Sequence, residues 1–262
     1  MSQKNDSHLL EIHLAETREF NELLNHYVEK GPGIKPIRPE FLAATLSEIA
    51  SADAMFFADT GTACIWLARH IKGGTKRRLF GSFSWASMAS AAPNAFGAQL
   101  AYPGRQTIAF CGDGGFTMLA LGDLLTQVQR KAPVVQIILN NESLDFVNIE
   151  QEEAGMIPFG VKFENPNFAR VAEAMGAKGI RIEEPGDVRD GLAEALGPQG
   201  WPRRRCGSRS FRPLATVACS FPHGQGLHSE FCQRGMERKD GRSDQGDRTK
   251  RQAGLSNAAI AA

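Results

Sequence analysis

The sequence lacks the features that mark several large classes of protein. It has five cysteines in 262 residues, too few for the disulfide framework of a small secreted scaffold. No apolar run approaches the roughly 18–20 residues that a membrane-spanning helix needs. The N-terminus lacks the basic start and apolar stretch of a signal peptide. We therefore expect a cytoplasmic protein without a membrane segment.

Neither sign of charge dominates. The chain has 30 Lys and Arg against 29 Asp and Glu, a formal net charge of +1. That balance provides no basic field of the kind a nucleic-acid partner requires, so none is expected. A hydrophobic content of 42% excludes global disorder and allows one large α/β domain or two small ones.

The composition changes near residue 198. Residues 201–262 contain ten arginines but only five residues of Leu, Ile or Val. This is too little branched apolar surface to offset the entropy of ordering the segment. At the other end, a polar stretch closes with Gly31-Pro32-Gly33, which is typical of a linker. We expect a linker at 1–33, a folded domain at 34–198 and an irregular basic tail, disordered or frameshifted, at 199–262.

Strand and helix patterns alternate within the expected domain. Short, continuous apolar runs such as 107–111 and 134–139 predict buried strands, and the amphipathic segment between them predicts a helix. Buried strands separated by helices indicate a doubly wound α/β fold, a mostly parallel sheet with helices on both faces. The expected helices are 39–50, 63–70, 88–100, 116–130, 167–175 and 187–196, and the expected strands are 54–58, 78–83, 107–111, 134–139 and 179–182.

Two polar turns follow neighbouring strands of this sheet. One is Gly112-Asp113-Gly114-Gly115 and the other is Asn140-Asn141. A right-handed crossover makes the two strands parallel, so both turns emerge at the carboxyl edge, where open α/β sheets bind ligands. Together the turns offer a carboxylate, amide oxygens and glycines at a helix start. Each turn alone is an ordinary motif, but the pair predicts a magnesium–diphosphate site.

The pair also matches a known signature. Enzymes that use thiamine diphosphate (ThDP) carry Gly-Asp-Gly and Asn-Asn separated by a spacer like residues 115–139 here. The stretches ADTGTACIWLARH, RRLFGSFSWASMASAAPNAFGAQ and NNESLDFVNIEQEEAG add to the match. Residues 36–197 thus resemble the C-terminal ThDP-binding domain of the pyruvate oxidase and quinone-dependent pyruvate dehydrogenase family, which are acetolactate-synthase-like ThDP enzymes.

The resemblance implies thiamine diphosphate and Mg²⁺ as cofactors. It makes the Asp113 carboxylate, the Asn141 side-chain oxygen and the Ser143 backbone carbonyl the metal ligands. It also implies that the turn beginning at Gly112 presents the backbone N–H groups of Gly114 and Gly115 to the diphosphate.

A second segment is implied to hold the rest of the cofactor. Ala86, Ser87 and Met88 match the place where these enzymes hold the elbow between aminopyrimidine and thiazolium. Met88 would lie under the bend, although a methionine there is also typical of a helix core. Phe146 and Val147 would form a wall of the substrate pocket. The same resemblance places Gly61 and Thr62 at this sheet edge.

Three features depart from the family pattern. Trp85-Ala86 stands where the family often has His-Gly. Asp145 stands where relatives have Gly, which matters if the position requires a positive φ. The stretch MLALGDLL is one residue longer than its counterparts, which would re-phase the helix locally. None of these changes removes an implied metal ligand.

The resemblance also implies components from outside the chain. The family's activating glutamate lies on a pyrimidine-binding domain of a partner subunit, and its oxidases bind FAD on a middle domain. Because only residues 1–35 precede the matching region, we expect a partner chain to supply both domains, and FAD not to be bound by this chain. No catalytic residue is assigned. Glu40 and Glu48 are weak candidates for the activating glutamate, because they lie on a helix face that we expect to be solvated.

The segment after Gly197-Pro198 also differs from the family, which continues into a β-branched strand. Here QGWPRRRCGSRS follows, so we expect the last strand of the sheet to be lost. The abrupt change resembles a reading-frame change, and a natural basic tail is the alternative.

The best-supported hypothesis is a fragment of a ThDP-dependent 2-oxo acid enzyme. Within that class the resemblance favours a pyruvate oxidase or pyruvate:quinone oxidoreductase, a flavoprotein family that decarboxylates pyruvate oxidatively. The alternatives are an acetolactate-synthase-like carboligase fragment and a non-catalytic remnant that folds or binds Mg-ThDP without turnover. A nucleic-acid-binding module based on the arginine-rich tail is a third possibility.

Overall fold

A computed structural model describes residues 7–197 and 215–220, all within the first of two units, Met1–His223. The helices are α1 (Ser7–Lys30), α2 (Pro39–Ile49), α3 (Thr62–His70), α4 (Ala91–Ala101), α5 (Asp113–Gly115), α6 (Leu121–Gln129), α7 (Asp145–Glu153), α8 (Phe168–Ala174) and α9 (Val188–Leu196). The strands are β1 (Met55–Ala58), β2 (Arg78–Gly81), β3 (Thr107–Gly112), β4 (Val134–Asn140), β5 (Lys178–Ile182) and β6 (Ala215–Ser220).

The six strands form one sheet, in the order β2-β1-β3-β4-β6-β5, and every neighbouring pair is parallel. β1 and the first five residues of β3 are buried at every position, as their continuous apolar runs require in a sheet covered on both faces. The small residues Ala91, Ala92 and Ala95 of α4 join the buried core, which brings this helix close to the strands. The doubly wound α/β fold is confirmed.

The helices and strands expected in 34–198 are all present, with ends that shift by a few residues. α4 begins at Ala91 rather than at 88, because the preceding loop contains Ala86 and Ala89 with left-handed backbone, φ 49° and 59°. α7 was not expected. Its sequence is largely polar and buries only Asn148, so it has no apolar periodicity to predict a helix.

A π-helical turn, Phe116–Ala120, separates α5 from α6. A π turn absorbs one extra residue within a helix, and this is where the one-residue-longer stretch MLALGDLL was expected to re-phase the helix. Phe116 and Ala120 stay buried, while Met118 and Leu119 are exposed. The π turn thus directs two apolar residues outward while the residues at its two ends face the core.

The expectation that the last strand is lost is wrong. β6 lies between β4 and β5, with Val217 opposite both Ile137 and Ile180. Val217 and Cys219 are completely buried. Six residues of suitable pattern, ATVACS, form a strand because partners on both sides supply its hydrogen bonds and packing. The rest of the expected basic tail, 199–214 and 221–262, lies outside the described residues.

Residues 7–30, expected to be part of a linker, form α1. Its contacts with the domain include two guanidinium–aromatic pairs. Arg38 lies 4.5 Å from the ring centroid of Tyr27, and Arg69 lies 5.0 Å from that of Phe20. The spacing of Phe20, Leu24 and Tyr27 is also helical, and Leu24 is buried. The helix was missed because the segment was judged by its polar average. In the described part of the chain no helix, α1 included, combines the length and apolar character needed to cross a membrane.

The position of β6 predicts the effect of Val217→Ala. Removing two buried methyl groups between β4 and β5 is expected to lower the free energy of unfolding by about 2 kcal/mol. Urea denaturation followed by circular dichroism measures this loss. Val28→Ala on α1, where the valine is partly exposed, is the matched control and should cost clearly less. No loss at Val217 would contradict the placement of β6 inside the sheet.

Candidate cofactor-binding site

The loops after β1, β3 and β4 and the loop before α4 meet at the carboxyl edge of the sheet. The closeness is clearest at two glycines of the 112–115 turn. A Cβ atom on Gly115 would lie 2.8 Å from the Ala89 backbone nitrogen. One on Gly114 would lie 2.7 Å from Leu144 and 3.6 Å from the Met88 methyl group. Only glycine fits at position 115, where a side chain would meet backbone, whereas at Gly114 the nearest atom is the flexible end of Leu144. The predicted site residues of these two segments do come together.

The Asp113 carboxylate is the centre of this arrangement. Its Oδ1 accepts the Gly114 N–H at 2.8 Å. Its Oδ2 accepts the N–H groups of Asn141 at 3.0 Å and Glu142 at 2.6 Å, and the side-chain amide of Asn165 at 2.8 Å. Burial raises the pKa of Asp113 to about 6, although these hydrogen bonds oppose the rise. The carboxylate is therefore held in one orientation, with more hydrogen bonds on Oδ2 than on Oδ1.

Asn141 and Ser143 form the second part of the site. The Asn141 side-chain oxygen accepts the Ser143 N–H at 3.2 Å, so the side chain folds back over its own turn. Glu142 between them has φ 54°. It is thus Glu142, and not Asp145, that takes the left-handed conformation of this turn. Asp145 begins α7, so its replacement of the family's glycine causes no backbone strain here.

A short strap, residues 161–163, crosses this turn. The Leu144 N–H donates to the Val161 carbonyl at 2.8 Å, and the Phe163 N–H donates to the Glu142 carbonyl at 3.3 Å. These two bonds leave the Ser143 carbonyl out of the pairing, although Ser143 is the residue bridged to Lys162. The strap therefore buries Ser143 without using its backbone carbonyl.

The oxygens gathered here fit a hard cation. The Asp113 carboxylate, the Asn141 amide oxygen and the Ser143 carbonyl are the donor types that Mg²⁺ takes together with phosphate oxygens. Within the described residues there is no cluster of three His, Cys, Asp or Glu side chains. The donor set is therefore one carboxylate with neutral oxygens, which suits a magnesium ion that also carries a diphosphate.

The segment 86–88 approaches the same turn. Met88 is half-buried with its methyl group near Gly114, so it lies at the site rather than in the core. Ala86 and Ser87 are exposed, and the Ser87 carbonyl accepts the Thr60 N–H at 3.3 Å. Ala86 has φ 49°, a conformation that costs an alanine energy but not a glycine.

The remaining predicted residues line the same edge. Phe146 and Val147 lie in the first turn of α7, with 40% and 38% of their surfaces exposed. Gly61, with φ 129°, precedes α3, and Thr62 is the first residue of that helix. Glu40 differs from expectation because it is buried and bound to Arg38 at 3.0 Å rather than solvated.

Asn165 was not identified from the sequence. Its side-chain amide donates to Asp113 and, at 2.7 Å, to the Asn140 side-chain oxygen, while its own oxygen accepts from the Thr117 hydroxyl at 3.1 Å. It therefore joins the two signature turns from a third segment. The only local signal was Asn-Pro before a predicted helix, which by itself indicates a helix boundary.

Residues 59–202 of the chain match the protein family described as "Thiamine pyrophosphate enzyme, C-terminal TPP binding domain". That match covers more than half of the chain, which therefore belongs to this family of thiamine diphosphate-binding domains.

Several relatives are similar over this region. YdaP of Bacillus subtilis, described as thiamine pyrophosphate-containing, is 40% identical over 161 residues, 62% of this chain and 28% of YdaP. Acetolactate synthase of B. subtilis is 33% identical over 142 residues, 54% of this chain and 25% of the relative. Pyruvate oxidase of Lactiplantibacillus plantarum is 28% identical over 196 residues, 74% and 32% of the two chains.

Among solved structures, benzoylformate decarboxylase from Polynucleobacter necessarius matches with a TM-score of 0.62 and 17% identity, over 73% of this chain and 34% of that one. At that identity the match shows the fold alone. The chain spans only 25–32% of the lengths of the three curated relatives.

The backbone at Ala86 predicts that Ala86→Gly stabilises the protein. Relief of the left-handed strain should exceed the extra entropy of glycine in the unfolded chain, for a net gain of about 0.5–1 kcal/mol in the free energy of unfolding. Denaturant titration measures the gain. Ala98→Gly inside α4 is the matched control and should lose about 1 kcal/mol. A loss at both positions would contradict the left-handed assignment of Ala86.

Proposed function

We propose that this chain supplies the magnesium–diphosphate half of a ThDP site in a 2-oxo acid enzyme of the pyruvate oxidase or pyruvate:quinone oxidoreductase type. In this proposal Mg²⁺ is bound by the Asp113 carboxylate, the Asn141 side-chain oxygen and the Ser143 carbonyl. The Gly114 and Gly115 N–H groups bind the diphosphate. The observation that carries the proposal is the buried Asp113 carboxylate held against the Asn141 turn.

The electrostatics of Asp113 support a cation at this place. Burial raises the pKa of the Asp113 carboxyl, so its ionisation destabilises the folded protein. A divalent cation beside it would favour the ionised form and offset that loss. The Asn141 and Ser143 oxygens add ligands without further negative charge, which leaves the ion free to neutralise a diphosphate.

The rest of the cofactor would lie on the segment that faces the turn. In the proposal Met88 supports the bend of ThDP, the Ala86 carbonyl accepts from its aminopyrimidine and Ser87 lies between them. Phe146 and Val147 form one wall of the 2-oxo acid pocket. When bound, ThDP supplies the electron sink for decarboxylation. The residues of this chain bind and orient the cofactor and shield it from water.

A second protein component completes the site in this proposal. It carries a pyrimidine-binding domain with the activating glutamate and, for an oxidase, a domain that binds FAD. Large apolar side chains are exposed on the segments around the site: Phe83 69%, Trp85 89%, Ile157 90% and Phe159 87%. So much exposed apolar surface on neighbouring segments supports a protein partner at this edge.

An acetolactate-synthase-like carboligase is the second candidate, because a synthase of that type is similar at higher identity over a shorter stretch than the pyruvate oxidase. Both candidates act on 2-oxo acids, and they differ in the fate of the intermediate after decarboxylation. A remnant that binds Mg-ThDP without turnover is the non-catalytic alternative.

The metal role predicts the result of a calorimetric titration. ThDP with Mg²⁺ is expected to give binding heat with the wild-type chain, little heat when Mg²⁺ is omitted, and little with Asp113→Ala. Asp123→Ala on α6 removes a carboxylate from the same stretch of chain and serves as the matched control. Equal heats for Asp113→Ala and wild type would overturn the assignment of Asp113 as a metal ligand.

The partner proposal predicts that the isolated chain with Mg-ThDP releases no carbon dioxide from pyruvate. Addition of a protein that carries the pyrimidine-binding and FAD domains should restore release, measured with carboxyl-labelled pyruvate. Acetolactate as the product would favour the carboligase, and reduction of FAD would favour the oxidase. Carbon dioxide release by the isolated chain would show that no partner is needed.

A further inference from the structure

Asp59 is a buried carboxylate that the proposed metal site does not use. It follows the last residue of β1, and its N–H donates to the Phe110 carbonyl of β3 at 3.1 Å, which fixes it to the centre of the sheet. Only 1% of its surface is exposed. Its Oδ1 accepts the Ala91 N–H at the start of α4, at 2.8 Å. The carboxylate thus ties the end of β1 to the far end of the 82–90 loop.

Thr60 holds the same loop at two further points. Its N–H donates to the Ser87 carbonyl at 3.3 Å, and its hydroxyl donates to the Ser82 carbonyl at 3.2 Å. The Ser90 hydroxyl also donates to the Ser87 carbonyl, at 3.1 Å. Asp59 and Thr60 therefore form hydrogen bonds at the beginning, in the middle and at the end of the loop that contains Met88.

Asp59 also lies against the Gly112–Gly115 turn. A Cβ on Gly115 would lie 3.0 Å from Asp59 Oδ2 and 2.8 Å from the Ala89 backbone nitrogen. Within the described part of the chain Oδ2 has no hydrogen-bond partner of standard geometry. Burial raises the pKa of Asp59 to about 6, although the backbone N–H groups of Ala91, Gly112, Ser90 and Ala89 oppose the rise. A buried carboxylate with an unsatisfied oxygen destabilises a fold, so its presence at this junction calls for a function beyond packing.

We propose that Asp59 and Thr60 are positioning residues that set the 86–88 segment at a fixed distance from the Gly112–Gly115 turn. This inference rests on the proposed function, in which the two segments hold opposite ends of ThDP. Neither residue needs to touch the cofactor. They act by keeping Met88 and the Ala86 carbonyl in place while the turn binds the diphosphate.

The binding of two different ligands distinguishes this positioning role from a general effect on the stability of the protein. In the proposed function, magnesium pyrophosphate needs only the Gly112–Gly115 turn and the turn at residues 140–143, whereas magnesium ThDP needs both turns and the 86–88 segment together. With the full chain, Thr60→Val is expected to weaken ThDP binding roughly fivefold, the effect of one lost hydrogen bond. Pyrophosphate affinity should be unchanged. Thr60→Ser keeps both donors and should restore ThDP affinity.

The matched controls lie away from the loop. Thr126→Val removes a hydroxyl that donates to a carbonyl at 3.0 Å inside α6, and it should change neither affinity. Asp59→Asn should weaken ThDP binding roughly tenfold or more, since it loses a charged acceptor, and should weaken ThDP more than pyrophosphate. Asp53→Asn, before the opposite end of β1, should bind both ligands as wild type does.

The outcomes are distinguishable. If the wild type binds both ligands but Thr60→Val lowers both affinities equally, or neither, the positioning role is wrong and the proposed function stands. If the wild type binds neither ligand, the proposed function fails and this inference fails with it. A selective loss of ThDP affinity that serine restores supports the positioning role.

Discussion

The parallel pairing of β3 with β4 is the constraint on which the candidate site depends. It brings the residues that follow Gly112 and those that follow Asn140 to one edge of the sheet, although 24 residues, 116–139, separate the two turns in the chain. Asp113 then accepts backbone N–H groups from the opposite turn. The site is thus fixed by backbone geometry before any ligand arrives, which is how a buried carboxylate is kept oriented.

Much of this arrangement was predictable from the chain itself. The strands 107–111 and 134–139 are continuous apolar runs, and their right-handed connection leaves one choice for the edge at which Asp113 and Asn141 meet. Periodicity does not predict hydrogen bonds that come from segments distant in the sequence. Asn165 and the strap 161–163 reach the site from the loop before α8, so no local pattern indicated their role.

The sequence predictions missed α1 near the N-terminal end of the described chain and β6 near its C-terminal end, and both misses have the same physical cause. Averages over sixty residues hid the six residues of β6, whose pairing with two strands outweighs the polar surroundings. Averages over thirty residues likewise hid α1, which contacts the domain through aromatic–guanidinium pairs and buries Leu24. Tertiary contacts stabilise both elements, and the polar composition of the long segments around them hid the short apolar patterns that the sequence does contain.

The position of β6 has a consequence for how the protein forms during synthesis. β6 is the last strand of the described sheet to leave the ribosome, yet it lies between β4 and β5. Until residue 220 has emerged, β5 has no neighbour in the sheet and α9 covers an incomplete surface. The exposed edge of β4 must wait for a strand that begins 75 residues after its own last residue, a slow, long-range pairing. A nascent chain of this protein therefore presents an open strand to chaperones or to aggregation until residue 220 has emerged.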